Sequence, residues 1–397
     1  MFLFTKKMFL LAGLGMSLCA QAQKGIPSLP PTAATVATYY PLHEDFKEAM
    51  VNRIKVPAGF VVKVAAVGLG KPRMMEPAGD HDLYVTRRDV GDVLLLTDGD
   101  GDGKFDALKT VVAQFKGVHG IAQKDGFLYL CSDRQLKKYK INSDFTLQDT
   151  VTLFTDLPDG GQHGNRTLAF GPDGMLYISV GSDCNDCSET NPEHATLLKV
   201  DLDSMKRHIY ARGLRNTIGF DWQPQTKEIW GVDNGTDWRG EEIPGEELNK
   251  IKEGAHYGWP LVWGKQQVDH TREDPPGSTK EAFAKTTEPA VMTFPAHGAP
   301  INFKFLQGAM AFPADYQDDA LVTWHGSWNR KKPEGFKVQR IKFENGNPVG
   351  MEDFFSGFLT ADGSKRFGRP AGLAISNGMV YISDDANGII YCVGTKK

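Results

Sequence analysis

Thr167–Asp183, TLAFGPDGMLYISVGSD, is the stretch whose reading decides the fold. A short apolar step ends in a Pro-Asp-Gly turn. Leu176-Tyr177-Ile178-Ser179-Val180 then follows in the two-residue period of a β-strand. The phrase returns as GIAQKDGFLYLCSD from Gly120, TIGFDWQPQTKEIWGVDN from Thr217 and GLAISNGMVYISDD from Gly372. Weaker copies read MMEPAGDHDLYVTRR around Met75 and AMAFPADYQDDALVTWHGS from Ala309. Asp173-Gly174 and Asn377-Gly378 carry hairpin-turn chemistry, and long amphipathic helical patterns are scarce. A unit recurring about every 46–50 residues, with one interval of about 92 and one of about 63, has the spacing of a four-stranded propeller blade with insertions. The expected fold is therefore all-β, a six-bladed β-propeller whose blade-leading loops converge on one axis. The long interval holds residues 261–307, rich in proline and charge and expected to form an insertion.

Outside the repeats, residues 1–22 read as a secretory signal. Lys6 and Lys7 precede an apolar run from Met8 to Leu18, and Ala20-Gln21-Ala22 supplies a small-x-small cleavage site. That run is too short to span a bilayer, and no later one is long enough. The chain is thus expected in the periplasm or outside the cell, with no membrane span. Residues 23–50 are expected as an extended arm over the outside of a catalytic domain covering 51–397. The formal net charge is −4 with no basic stripe, which argues against nucleic acid as a partner. Cleavage would leave Cys131, Cys184, Cys187 and Cys392. In an oxidising compartment Cys184-Asn-Asp-Cys187 is expected to close a small disulfide loop, since no second CxxC supports zinc.

Candidate chemistry gathers around Arg212–Pro260. Arg215-Asn216 sets a fixed cation beside an amide. The strand-like Ile229-Trp230-Gly231-Val232 runs into the oxygen-rich Asp233-Asn234-Gly235-Thr236-Asp237, with Glu246, Glu247 and Tyr257 beyond. Hard cations such as calcium take carboxylates and backbone carbonyls of this kind. His163, in GQHGNR just before a repeat, could act as a general base or simply bond a loop carbonyl. His119, Arg330 in HGSWNR and Arg369 in GRPAG hold similar blade-leading positions, where cations could meet a polyanionic ligand. Asp98, Asp100, Asp102 and Asp106 match the front of a calcium loop, but the twelfth position is Lys109, so a second calcium site and a plain acidic turn both remain open. No GxGxxG, GK[ST] or GxSxG motif is present.

Taken together, QHGNRTLAFGPDGMLYISVGSDC, ARGLRNTIGF, EELNKIKEGAHYGWP, HGSWNR and GRPAGLAISNGMVYISDD resemble the soluble, pyrroloquinoline-quinone-dependent glucose/sorbosone dehydrogenases, on the sorbosone and pyranose dehydrogenase side. The resemblance implies a small-molecule sugar substrate, PQQ over the propeller axis and Ca2+ at its quinone edge. It implies His163 as the base for the sugar hydroxyl, Arg215 beside the reacting carbonyl and Asn216 on the cofactor. It also implies Gly235 and Thr236 as calcium-binding carbonyls supported by Glu246, Glu247 and Tyr257, and Arg330 and Arg369 as partners of cofactor carboxylates. Two departures stand out. Ser182 occupies the place of the family's base-orienting aspartate, which leaves that role expected for Asp183 or another acid, and Thr217 replaces a proline. Two other classes fit a calcium-bearing propeller: a lactonase using calcium-bound water, and a non-catalytic glycan- or protein-binding module.

Overall fold

The computed structural model describes residues 37–307 and 311–396, so the signal segment and residues 23–36 of the arm lie outside the described residues. Six four-stranded antiparallel sheets stand around one axis. The first five blades run consecutively, with inner strands Met75–Ala78, Gly120–Lys124, Leu168–Phe170, Thr217–Trp222 and Pro300–Phe305. The sixth takes Pro370–Ser376, Met379–Asp384 and Ile389–Thr395 from the C-terminal end and borrows Phe60–Ala66 as its outer strand. Val62 pairs with Val393 and Lys63 with Cys392, so the ring closes by joining the two ends of the domain. Closure leaves no inner sheet edge open to another chain.

Position within a blade explains the burial pattern. Leu176–Val180 is buried at every residue, because a strand near the axis has neighbouring blades on both faces. The outer Leu147–Phe154 is exposed along most of its length. Asn377 and Gly378 both have positive φ (47° and 69°), the conformation a two-residue type I′ hairpin requires. Inner strands also crowd one another: a Cβ on Gly219 would lie 2.5 Å from the Phe303 nitrogen of the next blade. Below the axial face, Met74, Ile121, Leu168, Phe220, Asn302 and Lys304 of five blades surround a small axial cavity, so the hub combines apolar with polar side chains.

Three sequence expectations are corrected here. The 261–307 segment is not one insertion, because Met292–Phe294 is the outer strand of the fourth blade and Pro300–Phe305 the inner strand of the fifth. What is inserted is the Val262–Trp263/Gln267–Val268 hairpin and the helix Lys280–Ala284. The fifth blade accordingly starts at Pro300. The Ala309 phrase lies partly outside the described residues and leads into the second strand, Ala320–Trp324. Finally, the described part of the arm does not stay outside. The Tyr39 amide donates to the Trp328 carbonyl (2.9 Å), and Leu42–His43 pairs in parallel with Lys365–Arg366 at the axial face. Cys131 and Cys392 are buried and unpaired, whereas Cys184 and Cys187 form the expected disulfide.

Candidate functional site

Every blade starts at the same end of the ring, so the segments that lead into the inner strands share one axial face. That topology brings His163, Arg215 and Asn216 together although they are far apart in sequence. The Nδ1 of His163 lies 3.0 Å from the Ser182 carbonyl and 2.9 Å from the Ser182 Oγ. The Ser182 hydroxyl gives its hydrogen to the Cys184 carbonyl (2.7 Å), so Nδ1 must carry the proton and Nε2 the free lone pair. Burial, with the Arg215 guanidinium nearby, pushes the His163 pKa down to about 3, and the ring is neutral at pH 7. Gly181 permits this packing: a Cβ there would sit 2.5 Å from the His163 Cβ and 2.9 Å from the Asn216 Oδ1. The group that orients His163 is thus Ser182, not Asp183. The Asp183 amide and carbonyl are tied to Glu189 and Gln162, and no hydrogen bond joins its carboxylate to the imidazole.

Arg215 is only 3% exposed, and its guanidinium turns into the protein. It donates to the Asn185 carbonyl (3.0 Å), the Asn185 Oδ1 (2.8 Å) and the Asn234 carbonyl (3.1 Å), and pairs with Asp237 at 3.4 Å. Asn185 belongs to the Cys184–Cys187 disulfide ring, so that ring holds the arginine. Its other member, Asp186, faces away and pairs with Arg239 and Arg272. Arg215 in turn fixes the 234–237 loop. Among the described residues the carbonyls of Gly235 and Thr236 accept no hydrogen bond. Glu246 supports this loop by accepting from the Gly235 amide (2.7 Å) and the Ala299 amide (2.9 Å). Glu247, next along the strand, points the other way and accepts from Gly264 and Asn249. The Tyr257 hydroxyl bonds Lys250 and Lys252 backbone groups. Glu247 and Tyr257 nevertheless line, with Gly235 and Thr236, one small cavity beside the loop.

A cleft of about 510 Å3 opens between the first, third, fifth and sixth blades, and the third blade contributes Asn165, two residues along the chain from His163. Lys71, Arg73, Arg88, Arg366 and Arg369 line it against only Asp89 and Asp385, an excess of three positive charges. Asp385 bonds both Arg73 (2.6 Å) and His325 (2.8 Å). Arg369 reaches only carbonyls, those of His325 and Gly326. Burial pushes its pKa down to about 10, and the neighbouring Arg366 and Arg73 add to the shift. Among the described residues Arg88 has no hydrogen bond or ion pair, and its Nε is buried without a partner. Leaving a buried charged donor unmatched is costly, and an anion in the cleft would remove that cost.

Other expected residues lie elsewhere. His119 is fully buried with Nδ1 on the Arg166 carbonyl, so it offers no surface to a ligand. Arg330 is spent on the Ala296 and Lys332 carbonyls and on Glu242. Asp98, Asp100 and Asp106 bring carboxylate oxygens within 4.8 Å of one another, at the end of the first blade away from the cleft. Asp102 is not of that group and instead accepts from the Lys104 amide. Arg73, Arg88, Arg366 and His43 were missed. The signal for Arg73 existed, since it precedes its inner strand just as Arg369 precedes Pro370, but Arg88 lies in a turn and His43 in the arm.

The chain is 28% identical over 368 residues to an uncharacterized protein of Borreliella burgdorferi, covering 88% of this chain and 93% of that one. It is 25% identical over 319 residues to the pyrroloquinoline quinone-dependent sugar dehydrogenase of Hypocrea jecorina, covering 68% and 72%. The structure of Trichoderma reesei Carbohydrate-Active Enzymes Family AA12 superposes with a TM-score of 0.74 at 22% identity, covering 91% of this chain and all of that one. Residues 54–396, the whole ring of blades, match the TrAA12-like family, and to that family this chain belongs.

Proposed function

We propose that this protein is a PQQ- and calcium-dependent dehydrogenase that oxidises an aldose or related sugar. The observation that carries the reading is the surplus of three positive charges in a cleft lined by Asn165, two residues along the chain from a neutral, oriented imidazole. PQQ is a tricarboxylate, and the unmatched Arg88 with the carbonyl-bound Arg369 suits its anionic groups. The named relative from Hypocrea jecorina supports the same assignment.

Arg88, Arg366 and Arg369 would hold the cofactor, with Arg73 kept in place by Asp385. The free carbonyls of Gly235 and Thr236 would hold Ca2+. When bound, the quinone supplies the acceptor for the hydride leaving the sugar carbon, and calcium supplies a Lewis acid at the oxygen that gains charge. The protein's own task is proton removal and orientation. His163 takes the anomeric hydroxyl proton on Nε2 while Ser182 fixes its tautomer. Arg215 acts as a positioning residue: through Asn185 and Asn234 it holds the 234–237 loop in place. An exported location accords with the Cys184–Cys187 disulfide.

The test is reconstitution of the purified full chain with PQQ and Ca2+. Bound-cofactor absorbance and dye reduction by aldoses are expected. Lactone hydrolysis with calcium alone would instead establish a lactonase, and inertness in both assays a binding module.

A further inference from the structure

A second cavity, larger than the axial cleft, lies apart from it. It measures about 710 Å3 and lies on the flank between the third and fourth blades, beneath Thr271–Pro276. Its size is that of a site for a small organic ligand. Its lining differs from the cleft: Arg212 and Arg272 face Glu189, Glu273 and Asp274, so no positive surplus invites an anion.

His256 gives this cavity its definition. The Gly258 amide donates to its Nδ1 at 3.0 Å, so Nδ1 is unprotonated and Nε2 carries the hydrogen. Phe283 packs edge-on against the ring with centroids 5.0 Å apart and fixes its plane. Burial, helped by Arg212, keeps it neutral, with a pKa of about 4. The cavity therefore holds an immobilised neutral donor. The Arg212 side chain, exposed and without a hydrogen bond or ion pair among the described residues, adds further donors. Trp259, 8% exposed, contributes an apolar ring to the wall. Fixed donors, carboxylate acceptors and apolar walls of Trp259, Leu261 and Pro275, at near-balanced charge, suit a ligand rich in hydroxyls but uncharged.

We propose that this flank cavity is a binding site for a neutral saccharide, separate from the axial cleft. The inference does not depend on the quinone reading. It is tested on the cofactor-free full chain, with glucose, galactose, maltose and cellobiose as probes, read by calorimetry and tryptophan fluorescence. At least one probe binds saturably, with a Kd on the order of 1 mM. Arg212→Ala and His256→Phe each weaken it by about tenfold, a change of about 1.4 kcal/mol. His163→Ala leaves it within about twofold. Three results overturn the proposal: no saturable binding to the wild type, binding unchanged in both flank variants, or binding lost in His163→Ala. Arg212 is exposed, so its variant reports on the site even if the His256 variant misfolds. Sugar oxidation by a chain that fails this test would leave the axial reading intact, and flank binding without turnover would do the reverse.

Discussion

The Arg215 loop and the wall of the flank cavity are tied to the same disulfide ring, yet the axial cleft and the flank cavity are built for opposite ligands. On one side Asn185 holds Arg215 and the 234–237 loop. On the other, Asp186 and Ser188 bind Arg272 of the flank wall. Each side has a neutral histidine with a fixed tautomer, but in opposite senses. His163 is held by an acceptor at Nδ1 and so offers a lone pair, whereas His256 is held by a donor at Nδ1 and so offers a hydrogen. One backbone group decides between a base and a ligand donor. The surrounding charge agrees: the cleft carries three uncompensated cations, and the flank is close to balance. Neutral imidazoles are thus common to both places, and what separates the two chemistries is the second nitrogen's partner and the local charge count.

The largest effect that could break this contrast concerns the two rings themselves. His163→Ala should lower reconstituted sugar oxidation by about 10^2–10^4-fold while leaving PQQ affinity unchanged, measured by dye reduction and by cofactor titration. If turnover survives, His163 is not the base. The flank ring enters through stability. Its folded pKa is about 4 against 6.5 in the unfolded chain, so the unfolded state binds the proton more tightly. The contribution is complete above pH 6.5 and is lost as pH falls towards 4. Relative to His256→Phe, the wild type should lose on the order of 3 kcal/mol across that window in denaturant titrations at stepped pH. Parallel profiles would mean that the buried-neutral reading of His256 is mistaken.

Charge gives the next pair. Arg369→Ala should weaken PQQ binding by about ten- to a hundredfold, the effect of losing one charge-assisted contact, and Arg330→Ala should not change it. Equal losses in both would show that the cleft is not where the cofactor carboxylates lie. Smaller again is the effect of opening the ring. The double variant Cys184→Ser/Cys187→Ser frees Asn185, and a several-fold fall in kcat with KM nearly constant is expected if the ring positions Arg215 and its loop. Smallest of all, Asp183→Ala should match the wild type in kcat, because Ser182 supplies both contacts to the imidazole.

Much of the fold was legible because its unit is repeated. Leu176–Val180 and its copies carry the period of two, the turn glycines punctuate it, and the spacing fixes four strands per blade. The fourth and fifth blades were the hard ones. Pro300–Phe305 lacks the repeat phrase, and Met292–Phe294 is too short for a periodic signal, so both were hidden in the apparent insertion. The borrowed outer strand Phe60–Ala66 was equally silent, since its partner lies at the far end of the chain. In the site, His163, Arg215 and Asn216 could be named because each precedes a recognisable repeat. Direction could not be read. Nothing local shows that Arg330 is consumed by Ala296, Lys332 and Glu242, that Glu247 faces away from Glu246, or that Ser182 instead of Asp183 reaches the imidazole.

By itself, then, the order of residues determined the strand period, the number of blades, the disulfide and which loops could carry chemistry, because these depend on neighbours a few positions away. Only the closed ring decided which arginines remain unpaired, which histidine nitrogen is free and where the two cavities lie. Those properties belong to groups from different blades, and they are set by what each polar atom finds within hydrogen-bonding distance once water has been excluded.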